Sequence, residues 1–196
     1  MSIQRLRVGM KVLIITISIF GFLLNPAFAD DPKVAAGEQQ GSEAEGEAEV
    51  DEARQEAIPV FNEGVAALEA NDMPTALKFF LEATKIDPEF PEAQIAVAAV
   101  AMELKNFETA ADAAEEILRL QPDNLDAVGT AYFAELMIGD IDRLIPSARR
   151  LADANPELVS NEMLQHARVL FDDNELQGSK ALLEVILERE PDLAPA

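Results

Sequence analysis

Prolines recur at a fixed interval along the chain. Pro88, Pro122 and Pro156 are 34 residues apart, and Pro191 follows one residue late. A second series lies between the prolines, again with intervals of 34: Asp72, Asn106, Asp140 and Asn174. A fixed period between about 20 and 50 residues is typical of proteins built from stacked repeats. The sequence therefore predicts four repeat units, at 57–90, 91–124, 125–158 and 159–193.

The two series predict the content of each unit. Asp and Asn favour the N-cap of a helix, because the side-chain oxygen accepts a hydrogen bond from a backbone N–H one turn ahead. Proline favours a helix end, because it lacks an N–H and drives the preceding residue out of the α region. Each unit is thus predicted as a helix, a tight turn, a second helix and a stop.

Pro146 departs from this pattern, because it lies six residues after the predicted cap at Asp140. Proline in a helix interior costs about 3 kcal/mol. Either the second helix of the third unit starts late, near Pro146, or it is kinked there. We expect the late start, since proline is favoured in a first turn.

Composition agrees with an all-α fold and limits the functions. Apolar residues make up 49% of the chain, Trp is absent and Tyr occurs once, which suits closely packed helices better than a β-sandwich. The formal net charge of −22 argues against nucleic-acid binding, which needs a basic surface. The chain has no Cys, which excludes disulfides and thiolate metal sites.

The N-terminus has the pattern of an export signal. Arg5, Arg7 and Lys11 precede an apolar run over 12–24, and Ala27-Phe28-Ala29 has the form of a cleavage site. We therefore expect residues 1–29 to be a signal peptide, cleaved after Ala29, and the protein to be periplasmic or secreted from a bacterium. An apolar run this short is unsuited to span a bilayer core of about 30 Å. An uncleaved signal anchor is the alternative.

Residues 30–56 form an acidic segment rich in Ala, Glu and Gly, with almost no large apolar side chains. Such a segment cannot bury enough apolar surface to offset its ordering entropy, which predicts a disordered linker. The alternative for its last residues is that helix already begins to form from Val50 onward. We interpret the segment as a solubilising spacer; the alternative is an acidic bait for a basic partner.

The residues inside the units point to a family. The first unit places Gly64 in mid first helix, Ala76, Phe80 and Ala83 on one face of the second, and Pro88 at the end. This arrangement resembles the tetratricopeptide repeat, and the resemblance covers 57–193. It implies an α-solenoid of about four helix-turn-helix repeats in a short right-handed superhelix. It also implies protein–protein binding on the concave face, which the first helix of each unit lines.

The resemblance places a set of apolar side chains in that groove. We expect these partner-binding residues to be Phe61, Val65, Leu68, Ile95, Ala99, Met102, Phe133, Leu136, Met137, Met163, Ala167 and Leu170. Glu69 and Glu103 lie near the edge, so the expected partner is a protein or peptide segment that is apolar with Lys or Arg flanks. The alternative is that many of these side chains pack between helices. Family members that clamp a terminal carboxylate use Lys, Arg and Asn here, so that activity is not carried over.

No catalytic, cofactor or metal site is expected. His166 is the single histidine, and 172–174 resembles a calcium loop only in its first residues. The sequence thus predicts a non-enzymatic, exported scaffold or adaptor for protein–protein interaction. The alternative is a signal-anchored accessory subunit of an envelope assembly or translocation complex. The second helix of the fourth unit either caps the array or docks through Leu182, Val185 and Ile186 on a partner or a second copy, which allows a weak homodimer.

Overall fold

The computed structural model describes residues 46–155 and 162–189, with side chains from residue 52 onward. All regular structure within these ranges is helical, in eight helices: α1 Gly46–Glu69, α2 Met73–Ile86, α3 Pro91–Glu103, α4 Phe107–Leu120, α5 Leu125–Ile138, α6 Ile141–Ala154, α7 Leu164–Asp172 and α8 Leu176–Arg189. We name the odd-numbered helices A helices and the even-numbered ones B helices. The predicted signal peptide, Pro156 and Pro191 lie outside the described residues. Within the described part, no helix is long and apolar enough to cross a membrane.

Three of the four predicted N-caps are confirmed. In each, the side-chain oxygen accepts from a backbone N–H in the first turn of a B helix: Asp72 from Thr75 at 3.2 Å, Asn106 from Thr109 at 3.4 Å, and Asp140 from Asp142 at 3.0 Å. The helix ends are also as predicted. α2 ends at Ile86, two residues before Pro88, and α4 at Leu120, two residues before Pro122.

The first helix starts earlier than the boundary predicted at residue 57. α1 begins at Gly46, so the interval predicted as a disordered linker is helical over 46–56. Long-range contacts hold this extension: the Arg54 guanidinium donates to the Asp87 carboxylate and the Glu89 carbonyl, and lies 4.3 Å from the centre of the Phe90 ring. These partners are more than 30 positions away in the sequence, so the composition of residues 30–56 does not indicate them.

The late start predicted for α6 is wrong. The helix begins at Ile141, directly after the Asp140 cap, and Pro146 lies inside it with an exposed side chain. Gly139, in the left-handed region at φ 79°, ends α5 and turns the chain into that cap. Turn and cap together fix the helix start. The proline leaves the Asp142 carbonyl without its intrahelical donor.

The predicted cap at Asn174 is also wrong. A left-handed residue precedes each B helix: Asn71, Lys105, Gly139 and Asn174. The first three are 34 positions apart and the last interval is 35. Asn174 therefore corresponds to the residue before the cap. The cap position belongs to Glu175, whose carbonyl accepts from the Ser179 N–H at 3.0 Å. The fourth unit is thus displaced by one residue, and 162–163 form a π-helical turn, which holds one residue more than an α turn.

The core lies between A and B helices and continues from unit to unit. The face predicted on the second helix of the first unit, Ala76, Phe80 and Ala83, is buried. The equivalent residues of the next two units are buried as well: Ala110, Ala114, Ile117, Leu144, Ala148 and Leu151. Leu182, Val185 and Ile186 are buried as well, because α8 packs against α6, so these three are not a free docking face. Gly64 has a clear reason in packing: a Cβ there would lie 2.5 Å from Cε1 of the Phe80 ring.

Candidate partner-binding face

One side of each A helix is less buried than the rest. On α3, Ile95, Ala99 and Met102 are half-buried at i, i+4 and i+7, while Val97 and Ala98 between them are buried. This spacing puts the three on a single face of the helix. On α1, Phe61, Val65 and Leu68 are half-buried at the same spacing.

Most of the predicted partner-binding residues are half-buried: Phe61, Val65, Leu68, Ile95, Ala99, Met102, Phe133, Met137 and Leu170. The other three are core residues. Leu136 is 8% exposed, Met163 1% and Ala167 1%. A bound partner cannot reach such side chains, so these three are removed from the candidate face.

The displacement of the fourth unit explains the misplaced residues there. With the one-residue displacement of the fourth unit, Leu164, Arg168 and Phe171 correspond to Phe61, Val65 and Leu68 of the first unit. They therefore take the places that we predicted for Met163, Ala167 and Leu170. Leu164 is 40% exposed and Phe171 62%, and Arg168 is exposed. The late Pro191 was the signal in the sequence that could have found this shift. The shift also places Arg168, a basic side chain, in a row that we expected to be apolar.

We define the A-helix face by the residues that occupy this side of the four A helices: Phe61, Val65, Leu68, Ile95, Ala99, Met102, Gly129, Phe133, Met137, Leu164, Arg168 and Phe171. Gly129 stands at the repeat position of Phe61 and Ile95. A Cβ built on Gly129 meets no atom of the described structure within 4 Å. The space that a side chain would fill at this position of α5 is therefore open, and we call this open position the hollow. Sequence reasoning missed it because the groove prediction skipped this position.

Two aromatic side chains of the face also take part in packing. The Phe61 ring lies 5.2 Å from Phe80 and 5.1 Å from Phe90, both buried. The Phe133 ring lies 5.4 Å from Tyr132 and 5.5 Å, edge-on, from His166. Each therefore has one side fixed by the core, and such fixed rings lose little further freedom when a partner binds.

His166 contributes to the junction between the third and fourth units. Its Nδ1 forms a hydrogen bond of 3.0 Å with the hydroxyl of Tyr132, which is 1% exposed. Burial lowers the pKa of the His166 imidazole and raises the pKa of the Tyr132 phenol above its ordinary range. Both groups are thus held neutral near pH 7. The hydrogen bond and the ring contact between Tyr132 and His166 link α5 to α7 across this junction.

Glu135 is a second polar group inside the array. It is 3% exposed on α5, accepts a hydrogen bond from Ser147 of α6, and lies 3.6 Å from Nε of Arg143. Burial raises the pKa of its carboxyl, against the opposing effects of Ser147 and Arg143. This cluster ties α5 to α6 on the side away from the A-helix face.

Most arginines of the described part pair with acids between B helices of neighbouring units. Arg143 binds Asp112 at 3.0 Å and Arg150 binds Glu115 at 2.9 Å, between α6 and α4. Arg149 binds Glu188 at 2.7 Å, and Arg189 binds Asp153, between α6 and α8. Such exposed pairs contribute at most about 1 kcal/mol each. Their larger consequence is that most of the positive charge of the array lies on the B helices.

The central A helices carry the opposite charge. α3 and α5 contain no Lys or Arg. Asp126 is exposed in the first turn of α5, and Glu103 is half-buried at the end of α3. Glu92, in the first turn of α3, has a carboxylate oxygen, Oε2, that is buried and has no hydrogen-bond partner in the described structure. The central A helices therefore carry acids and no cations.

Other features of the surface offer little for a small ligand. A shallow depression of about 230 Å³ lies between α4 and α6 and is lined by Glu115, Leu118, Arg119, Pro122 and Arg150. It is on the B-helix side, and two of its lining residues already bind each other. Within the described residues, no group of three or more His, Cys, Asp or Glu is placed to hold a metal ion.

Comparison with solved structures identifies the fold. A crystal structure of MamA protein superimposes with a TM-score of 0.51 at 15% identity, over 70% of this chain and 74% of that chain. Residues 41 to the end of MamA from Desulfovibrio magneticus RS-1 give 0.49 at 16% identity, over 71% and 78%. YrrB, a TPR protein with an unusual peptide-binding site, gives 0.47 at 20% identity, over 77% of each chain. No protein-family model and no curated protein matches the chain.

Proposed function

We propose that this chain, which has the all-α fold of the tetratricopeptide repeat proteins, is an exported scaffold that binds a segment of another protein along its A-helix face. The observation that carries the proposal is the character of that face. Apolar side chains recur on it at i, i+4 and i+7 of α1 and α3, and the row continues through four residues of α5 and α7: Phe133, Met137, Leu164 and Phe171. The two helices at its centre, α3 and α5, lack cations. Half-exposed apolar side chains in a continuous row favour binding of a partner.

The expected partner segment is apolar with basic flanks. Its apolar residues would cover Ile95, Met102 and Phe133, which are half-buried. Its Lys or Arg residues would meet Glu92 and Asp126, which have no cation on their own helices to pair with. No step of this proposal needs a cofactor or a catalytic residue, and we propose no enzymatic activity.

A peptide-display experiment tests the proposal. A random-peptide library is selected on the full chain, and the enriched peptides are measured by fluorescence anisotropy against two variants. Met137→Lys places a cation on the A-helix face, and Leu187→Lys does the same on α8, where Leu187 is 39% exposed. We expect the first variant to lower affinity at least about tenfold and the second to leave it unchanged. Failure to enrich any peptide, or an equal effect of both variants, would contradict the proposal.

Export rests on the predicted signal peptide, residues 1–29. The mass of the protein recovered from its native host decides between cleavage and the anchored alternative. A chain that begins at Asp30 is expected. A chain that retains residues 1–29 and sediments with membranes would favour the signal-anchored accessory subunit of an envelope complex instead.

A further inference from the structure

We propose that the hollow at Gly129 is a subsite that receives one bulky apolar side chain of the partner, next to a Lys or Arg of the partner that pairs with Asp126. This inference rests on the proposed function, and it specifies where on the A-helix face the partner is anchored. It also assigns a specificity-determining role to a residue without a side chain.

The hollow has apolar neighbours in the repeat register. Ile95 and Leu164 occupy the same repeat position on the A helices before and after α5, and Phe133 lies one turn further along α5 itself. All three are partly or fully exposed. A large side chain at position 129 would complete the row; in its absence, a leucine or phenylalanine of a partner would occupy that position.

Packing within the protein does not account for this glycine. Gly64 is required, since a Cβ there would collide with Phe80. Around Gly129, by contrast, the described structure leaves the space of a Cβ empty. Glycine in a helix interior costs about 0.5–1 kcal/mol relative to alanine. No packing contact at Gly129 in the described structure offsets this cost, whereas a partner side chain would occupy the open space.

The charges beside the hollow select a basic neighbour. Asp126 is three residues before Gly129 and is exposed, so the two lie on the same side of α5. Glu92 has the same relation to Ile95 on α3 and is half-buried. A Lys or Arg of the partner would form a charge-assisted hydrogen bond with an exposed carboxylate such as that of Asp126.

The experiment uses the display-enriched peptides and the full chain with substitutions at the subsite. Gly129→Leu fills the hollow, and Gly129→Ala adds only a methyl group at its base. Asp126→Asn removes the charge from an exposed position and leaves the hollow open. We expect Gly129→Leu to weaken binding by about tenfold or more and Gly129→Ala by less than about threefold. Asp126→Asn is expected to weaken binding and to reduce its dependence on salt. Enriched sequences should share one bulky apolar residue beside a Lys or Arg.

The outcomes separate this subsite from the proposed function. If Met137→Lys abolishes binding while Gly129→Leu and Asp126→Asn leave it unchanged, the partner lies on the face but the subsite is excluded. If none of the three affects binding, the face itself is excluded. Circular dichroism and thermal unfolding establish that each variant is folded. Should Gly129→Leu unfold the chain, Asp126→Asn and the composition of the enriched peptides decide alone, and acidic or purely polar sequences would overturn the inference.

Discussion

Tyr132 and His166 lie 34 positions apart, and their side chains form a hydrogen bond of 3.0 Å across the junction of the third and fourth units. The separation equals the repeat period, yet the two residues do not occupy equivalent positions, because the fourth unit is displaced by one residue. Tyr132 corresponds to Gly64 and Ala98, where the chain otherwise has a small residue. The single tyrosine of the chain thus fills the junction, with the single histidine as its partner.

This contact predicts how stability depends on pH. Burial holds the pKa of His166 below its ordinary value of about 6.5, so the unfolded state binds the proton more readily than the folded state. The stability contributed by the neutral imidazole is present above the unfolded pKa and is lost as pH falls below it. Urea unfolding at about pH 7.5 and pH 5.5 should show a larger loss for the natural chain than for His166→Gln. Equal losses in both proteins would exclude His166 as the source.

Gly64 and Gly129, which lie in the interiors of A helices, give opposite predictions for the same substitution. Gly64→Ala puts a methyl group 2.5 Å from the buried Phe80 ring and should lower the free energy of unfolding by about 1–3 kcal/mol. Gly129→Ala meets open space and should raise it by about 0.5–1 kcal/mol. Chemical denaturation of the two variants checks both values. A stabilising Gly64→Ala would show that Phe80 is not held against α1.

Arg54 tests whether α1 extends before residue 57. Arg54→Ala removes the guanidinium that donates to the carboxylate of Asp87, a residue that is only 2% exposed. In the described structure, the other donor to that carboxylate is the backbone N–H of Glu89, at 2.9 Å. We expect a loss of about 1–3 kcal/mol in the free energy of unfolding. Glu56→Ala, an exposed change on the same helix, is the control and should be close to neutral. Similar small effects of both would mean that the extension contributes nothing to stability.

Pro146 tests the position of α6. The proline is exposed and its ring replaces an N–H that would otherwise bond to the Asp142 carbonyl. Pro146→Ala restores that hydrogen bond and removes the cost of a proline inside a helix. This stabilisation exceeds the loss of stability from the greater chain entropy of the unfolded state, which is about 1 kcal/mol. The variant should therefore have a higher unfolding temperature and more helical ellipticity. A lower unfolding temperature would argue that the helix starts at the proline, as the sequence alone suggested.

Local sequence rules predicted the regular half of the molecule. The caps at Asp72 and Asn106, the stops before Pro88 and Pro122, and the A helices starting at 91 and 125 all follow from side-chain chemistry within one turn. These features depend on neighbours in the chain, and so a single sequence displays them.

The features that sequence reasoning missed depend on distant partners or on competing local signals. The early start of α1 rests on Arg54 and residues more than 30 positions away. Asn174 kept the 34-residue interval by coincidence, while the one-residue displacement of the fourth unit put the cap of α8 at Glu175. Met163 and Ala167 were predicted on the face because the prediction did not include this one-residue shift. Gly129 was not predicted on the face, because the prediction looked for apolar side chains and glycine has none.

Hydrogen–deuterium exchange of the full chain, with and without a display-enriched peptide, tests the central claim most directly. Binding along the A-helix face should slow amide exchange in α3 and α5, around Ile95, Gly129 and Phe133, and leave the outer turns of α4 and α6 unchanged. Protection confined to the B helices, around the ion pairs of Arg143 and Arg150, would contradict the account.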